Sequence, residues 1–198
     1  MNSNRWELTG RQYSYWRGWY IVAGIIILMC LGTVYSYSVF RMPIEELFDI
    51  GSTYSGMPYM MALAFYAIFM FLTGKALDRF HPRSILLCGG MLVAMGWSLS
   101  SMATSIPFLT LTYGVMSGAG VGIAYGVPLT VVARWFPDMK GLAVGMVLIG
   151  FGLSPIVTAP LSRMLVDEFG VMQAFLILGI SFGVIITALS FVFKYPPK

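Results

Sequence analysis

The stretch "YGVMSGAGVGIAYGVP", residues 113–128, sets glycine at Gly114, Gly118, Gly122 and Gly126, every fourth position of an unbroken apolar run. In a helix surrounded by water each of these glycines costs about 1 kcal/mol relative to alanine. Four in register would make a poor soluble helix. In lipid the balance changes, because no water competes for the backbone and the helix is enforced. Helices there associate by close backbone approach, which small residues four apart permit. The stripe reads as a packing ridge inside a membrane.

The rest of the chain supplies that membrane. Hydrophobic residues make up 58% of the 198 and charged residues only 10%, far from the balance of a soluble domain. The charges cluster and leave six windows without Asp, Glu, Lys or Arg, at about residues 18–40, 54–74, 84–105, 107–133, 141–162 and 170–193. Each is close to or longer than the roughly 20 residues that cross about 30 Å of hydrocarbon as a helix. The chain is therefore expected to be an all-α membrane protein. Residues 1–17 form an N-terminal segment, 18–193 a six-span bundle, and 194–198 the start of a loop. The first window is too long, and too aromatic at its end, for a cleaved signal peptide. Cys30 and Cys88 fall in windows 1 and 3 without metal-ligand spacing and are expected to pack as thiols.

Charge sets the orientation. With the N-terminus in the cytoplasm, the inner segments carry Arg5, Arg11, Arg17, Lys75, Arg79, Arg83, Arg134, Lys140, Lys194 and Lys198, and the outer loops only Arg41 and Arg163. Ten cations against two is a strong positive-inside bias, which places both termini in the cytoplasm. Topology thus accounts for the basic pI, and no nucleic-acid partner is called for. Window 5 carries Gly141, Gly145, Gly150 and Gly152 around Ala143, and is the expected partner of the span 4 stripe.

Little points to catalysis. "SGAGVG" fails the dinucleotide pattern because Ile123 and Tyr125 stand where glycine is needed, and it lies inside a span. The phosphate-loop, zinc-protease and nucleophile-elbow motifs are missing from the sequence, and its one histidine, His81, sits in a loop. No enzyme activity, catalytic residue, metal or cofactor is expected.

The loop "GKALDRFHPRS", residues 74–84, is more specific. Gly74, Asp78, Arg79 and Arg83 match the G-x-x-x-D-R-x-G-R-R loop of the major facilitator superfamily, with His81 and Pro82 replacing two of its positions. An acid inside a basic cluster at a helix end can hold one conformational state electrostatically, and Gly74 would let that end pack closely. "YGVPLTVVARWFPDMKGLAVGMVLIGFGLSPIV", residues 125–157, resembles the oxalate/formate antiporter family, which is related to the monocarboxylate transporters. The first span and "DRFHPR" fit the same family.

That resemblance implies two six-helix bundles, each of two inverted three-helix repeats, with substrate held between them near the midplane. This chain would then be one such half, partnered by a second six-span half, surrounded by lipid in the plasma membrane, and acting on a small carboxylate by alternating access. The six windows hold no ionisable acid or base, so polar candidates are Tyr35, Tyr37, Tyr59, Tyr66 and Tyr125, with Thr33 and Thr130 weaker. Tyr37 and Tyr59 also read as interfacial tyrosines. The resemblance implies that Tyr35 and Tyr125 line the anion site, with Phe151 at a position where the oxalate-transporting pattern has tyrosine. Val34 stands where that pattern has glutamine. Two other readings stay open: a membrane scaffold or assembly subunit, and a homodimeric half-transporter.

Overall fold

In the computed structural model, residues 4–77 and 79–196 are described, with side chains from residue 17 onward. Among the described residues all regular structure is helical. Six helical segments are long and apolar enough to cross a membrane: Arg17–Phe48, Ser52–Ala76, Pro82–Ser100, Ile106–Trp135, Lys140–Phe169 and Val171–Ser190. They are spans 1 to 6.

Spans 1 and 5 run beyond the charge-free windows. Arg41, expected in a loop, lies with Glu45 and Glu46 on the helix Ser38–Phe48, and Arg163, also expected in a loop, lies with Asp167 and Glu168 on the last turns of span 5. Charge marks where hydrocarbon ends, whereas backbone hydrogen bonding carries the helix on into the interfacial layer. Span 5 stops at Gly170, whose φ of 80° suits a residue without a Cβ. At the C-terminal end of span 1, Arg41 donates to the Ser52 carbonyl at 2.8 Å, and the Ser55 hydroxyl donates to Glu45 at 2.5 Å. Spans 1 and 2 are stapled there.

Two spans depart from regular α-helix. Span 1 tightens into a 3-10 turn at Thr33–Tyr37, and span 4 widens into a π-helical stretch at Thr110–Ser117 before the helix Gly118–Trp135. The main packing partners are span 1 with 5, span 2 with 4, span 3 with 6, and span 3 with 4. Exchanging spans 1, 2 and 3 for 4, 5 and 6 maps the 1/5 contact onto the 2/4 contact and leaves 3/6 in place. This is the signature of two inverted three-helix repeats.

The glycine stripe packs on span 2, which corrects the expectation of span 5. A Cβ built at Gly118 would lie 2.5 Å from the Ala62 carbonyl oxygen, and one at Gly122 2.5 Å from that of Tyr66. Gly114 meets Met61 and Pro58, and Gly126 meets Leu77. Span 5 presents a different face. A Cβ at Gly141, Gly145 or Gly152 would meet nothing within 4 Å, and Gly150 packs on the Ile25 backbone of span 1. Glycine spacing marks a close-approach face but not which neighbour lies against it. The inverted repeat decides that.

Span 1 and span 5 are also joined by a polar seam. Thr158 donates to the Ser154 carbonyl at 2.9 Å, so its single hydroxyl proton is used and Ser36, 2.7 Å away, donates to it. Ser154 in turn donates to the Met29 carbonyl at 2.6 Å. All three side chains are buried, and in lipid such bonds hold helices together.

Candidate functional site

Four aromatic rings from spans 1, 2, 4 and 5 converge on one face of the bundle. Phe151 sits at their centre, with ring centroids 5.3 Å from Tyr35, 4.9 Å from Tyr125 and 6.1 Å from Tyr66. Tyr66 and Tyr125 meet edge-to-face at 5.4 Å. These separations suit aromatic packing and leave three phenol oxygens around one apolar ring. The sequence-derived candidates Tyr35, Tyr125 and Phe151 are thus brought together, and Tyr66 joins them.

Local geometry explains the placement. In the 3-10 turn, side chains three apart eclipse one another. Tyr35 and Ser38 point outward while Thr33, Val34, Ser36 and Tyr37 are buried. Tyr35 is 41% exposed whereas Phe151 is 7% exposed, so the cluster has a buried floor and an open polar lip. Tyr66 is held against Tyr125 because span 2 touches span 4 at Gly122, one turn before Tyr125. Val34 is buried, and Thr33 spends its hydroxyl on the Met29 carbonyl.

A second aromatic cluster is structural. Tyr37 stacks on Tyr59 and packs at 4.8 Å on Tyr113, which also touches Trp97 and Phe175. Tyr37 is buried and donates to the Ser55 carbonyl at 3.0 Å, so it is a core residue and not an interfacial one. Tyr113 was not legible as a candidate. It is buried with no hydrogen-bond partner for its hydroxyl, and its place at the head of a glycine run was the one available signal.

The residues of the loop between spans 2 and 3 lie differently from expectation. Asp78 lies outside the described residues. Among the described residues nothing lies within 4 Å of a Cβ built at Gly74, and Arg79 is exposed. Arg83 instead lies 3.8 Å over the Phe191 ring, just after span 6. The segment that follows, Phe193–Tyr195, crosses the same end of the bundle. Trp135 Nε1 donates to the Lys194 carbonyl at 2.9 Å, the Tyr195 hydroxyl donates to the Leu77 carbonyl at 2.7 Å, and Arg134 lies 4.1 Å over the Tyr195 ring. Arg17, at the start of span 1, forms an ion pair at 2.5 Å with Asp138 in the loop between spans 4 and 5. That hydrogen bond holds the Asp138 carboxyl below its usual value of 3.8.

Six spans in two inverted repeats, with a polar-lipped aromatic face on spans 1, 2, 4 and 5, define an integral multi-pass membrane protein built like the repeat-based secondary transporters. The model of the Major Facilitator Superfamily matches residues 21–198, and the chain belongs to that superfamily. The chain is 32% identical over 180 residues to the oxalate:formate antiporter of Oxalobacter formigenes, covering 90% of this chain and 43% of that protein. It is 31% identical over 169 residues to monocarboxylate transporter 12 of Homo sapiens, covering 82% of this chain and 32% of that protein. The chain thus spans less than half the length of these relatives.

Proposed function

We propose that this chain forms one wall of an alternating-access carrier for a small carboxylate, with the Tyr35, Tyr66, Tyr125 and Phe151 face turned toward the substrate. The observation that carries the reading is that cluster: three phenols from three spans around one ring, open at Tyr35. Phenol O–H groups donate to an anion, and the apolar floor excludes the water that would compete with them. Similarity to the oxalate:formate antiporter and to monocarboxylate transporters supports a small organic anion as cargo. It also supports transport over enzyme activity.

A carboxylate in a low-dielectric site needs an offsetting cation. Among the described spans the cations Arg17, Arg41, Lys75, Arg83, Arg134, Lys140 and Arg163 all lie toward span ends, away from the cluster. The charge must therefore come from a second six-span bundle, which also gives this one a body to rock against. Phe151, at the centre, contributes no donor, which favours a monocarboxylate over oxalate. The cation asymmetry supports cytoplasmic termini; with the chain in the plasma membrane, cysteines at Ser3 and Lys198 should stay unlabelled by an impermeant reagent in intact cells.

The test is exchange of labelled formate, lactate and oxalate by the chain paired with a second bundle. Tyr125→Phe should cut exchange about tenfold, the weight of one hydrogen bond to a charged group. Phe151→Tyr should raise oxalate relative to formate. Unchanged exchange in Tyr125→Phe, together with unchanged selectivity in Phe151→Tyr, would remove the aromatic face from the substrate path and favour a scaffold role.

A further inference from the structure

A cleft of about 200 Å³ opens between spans 1 and 5, toward the end of the bundle where both spans finish. Its apolar walls include Met42 from span 1 and Val166 from span 5, and its polar lining is Ser38, Arg163 and Asp167. Helical spacing ties the cleft to the aromatic face. Ser38 and Met42 continue the exposed stripe of span 1 that begins at Tyr35, at the spacing that returns to one helix face. On span 5, Phe151, Pro155, Ala159, Arg163 and Asp167 follow one another at every fourth position, the row that forms a ridge along a helix. From Phe151 to Arg163 that ridge rises about 18 Å. The cleft therefore stands at the mouth, and the aromatic face lies at depth.

We infer that this cleft is an entry subsite for the carboxylate cargo, with Arg163 as the group that receives it. The inference rests on the reading of the aromatic face as a substrate wall and adds the station that precedes it. Availability carries it first. Among the described residues no hydrogen bond or ion pair engages the side chain of Ser38, Arg163 or Asp167. A guanidinium with its fork free offers paired donors that match both oxygens of a carboxylate. The Ser38 hydroxyl adds a donor from the facing span. Asp167 then sets the strength. It lies one turn beyond Arg163, at the spacing that allows pairing along a helix, yet the two form no ion pair in this structure. Asp167 offers Arg163 a carboxylate of its own, and an arriving carboxylate takes that place. Because Asp167 stays beside the captured anion, capture is weak, as an entry station must be if its occupant is to move on. Arg163 is too far along the ridge to hold an anion at Phe151, so the cation of the second bundle is still needed there.

The probe is labelling of Met42→Cys, on the cleft wall, in the purified full chain carrying Cys88→Ser, which removes the exposed native thiol. The reagent is a negatively charged methanethiosulfonate and the ligand is formate. Formate should slow labelling saturably, and chloride at the same ionic strength should not. Arg163→Gln should remove the protection and Arg163→Lys should keep most of it, which separates loss of charge from loss of fold. Asp167→Asn should lower the formate concentration for half-protection about threefold, the weight of an exposed ion pair. Lys75→Gln, at the opposite end of the bundle, should leave protection as it is. Absent protection, equal protection by chloride, protection that survives in Arg163→Gln, loss of protection in Lys75→Gln, or a half-protecting concentration that does not fall in Asp167→Asn would each overturn the assignment. The chain alone is labelled, so a failure here leaves the exchange test of the aromatic face standing, and a failure of that test leaves this readout intact.

Discussion

A Cβ built on Gly122 would stand 2.5 Å from the carbonyl oxygen of Tyr66. The backbones of spans 2 and 4 therefore touch at the residue whose ring forms one side of the aromatic face. Packing and site are set by the same contact. Gly122 removes side-chain bulk so that Tyr66 can reach Tyr125, one turn further along span 4.

Gly122→Leu should destabilise the bundle by about 3 kcal/mol, at the upper end of overpacking costs, because the obstacle is backbone that cannot rotate away. Gly145→Leu, where a Cβ meets nothing within 4 Å, should stay within about 0.5 kcal/mol of wild type. Thermal unfolding in detergent checks the pair. Equal midpoints for the two variants would show that span 4 does not rest on span 2.

The seam between spans 1 and 5 predicts a measurable coupling. Ser36→Ala and Thr158→Val each remove one side of the 2.7 Å hydroxyl pair. A double-mutant cycle on unfolding should give a coupling near 0.6 kcal/mol, typical of hydrogen bonds between membrane helices. Additivity of the two losses would place the hydroxyls apart.

The Arg17–Asp138 pair predicts a pH dependence. Its hydrogen bond lowers the folded pKa of Asp138 below the usual 3.8. The stabilisation is thus present above the unfolded value and fades as pH falls through the lower, folded one. Asp138 is exposed and the effect small, so comparison with Asp138→Asn isolates it. The difference in midpoint between wild type and Asp138→Asn should be constant near neutrality and shrink below about pH 4. A difference that grows on acidification would mean that Asp138 is not paired as its carboxylate.

The six crossings were legible because charge is so costly in hydrocarbon that its absence over 20 residues speaks alone. Helix ends were less so: Arg41 and Arg163 read as loop residues because charge reports the membrane edge and not the end of hydrogen bonding. The stripe from Gly114 to Gly126 announced a close approach, yet its partner was hidden, since one helix face carries no information on which neighbour the topology delivers. Within the candidate site, Tyr35, Tyr125 and Phe151 came from residue type and resemblance. Tyr66 was one tyrosine among several until its contact with Gly122 set it beside Tyr125. The Phe193–Tyr195 strap was unreadable, because it is held by carbonyls of Leu77 and Lys194 that every residue possesses.

The central claim is that the aromatic face is one wall of a carboxylate site whose cation and moving counterpart lie on a second bundle. Counterflow of labelled formate and oxalate in liposomes holding the purified chain alone, measured against empty liposomes, tests it most directly. Three phenols without an intramembrane cation should give no saturable exchange above the empty-liposome background. Saturable exchange by the chain alone, abolished by Tyr125→Phe, would contradict the account and make the bundle a complete carrier through self-association.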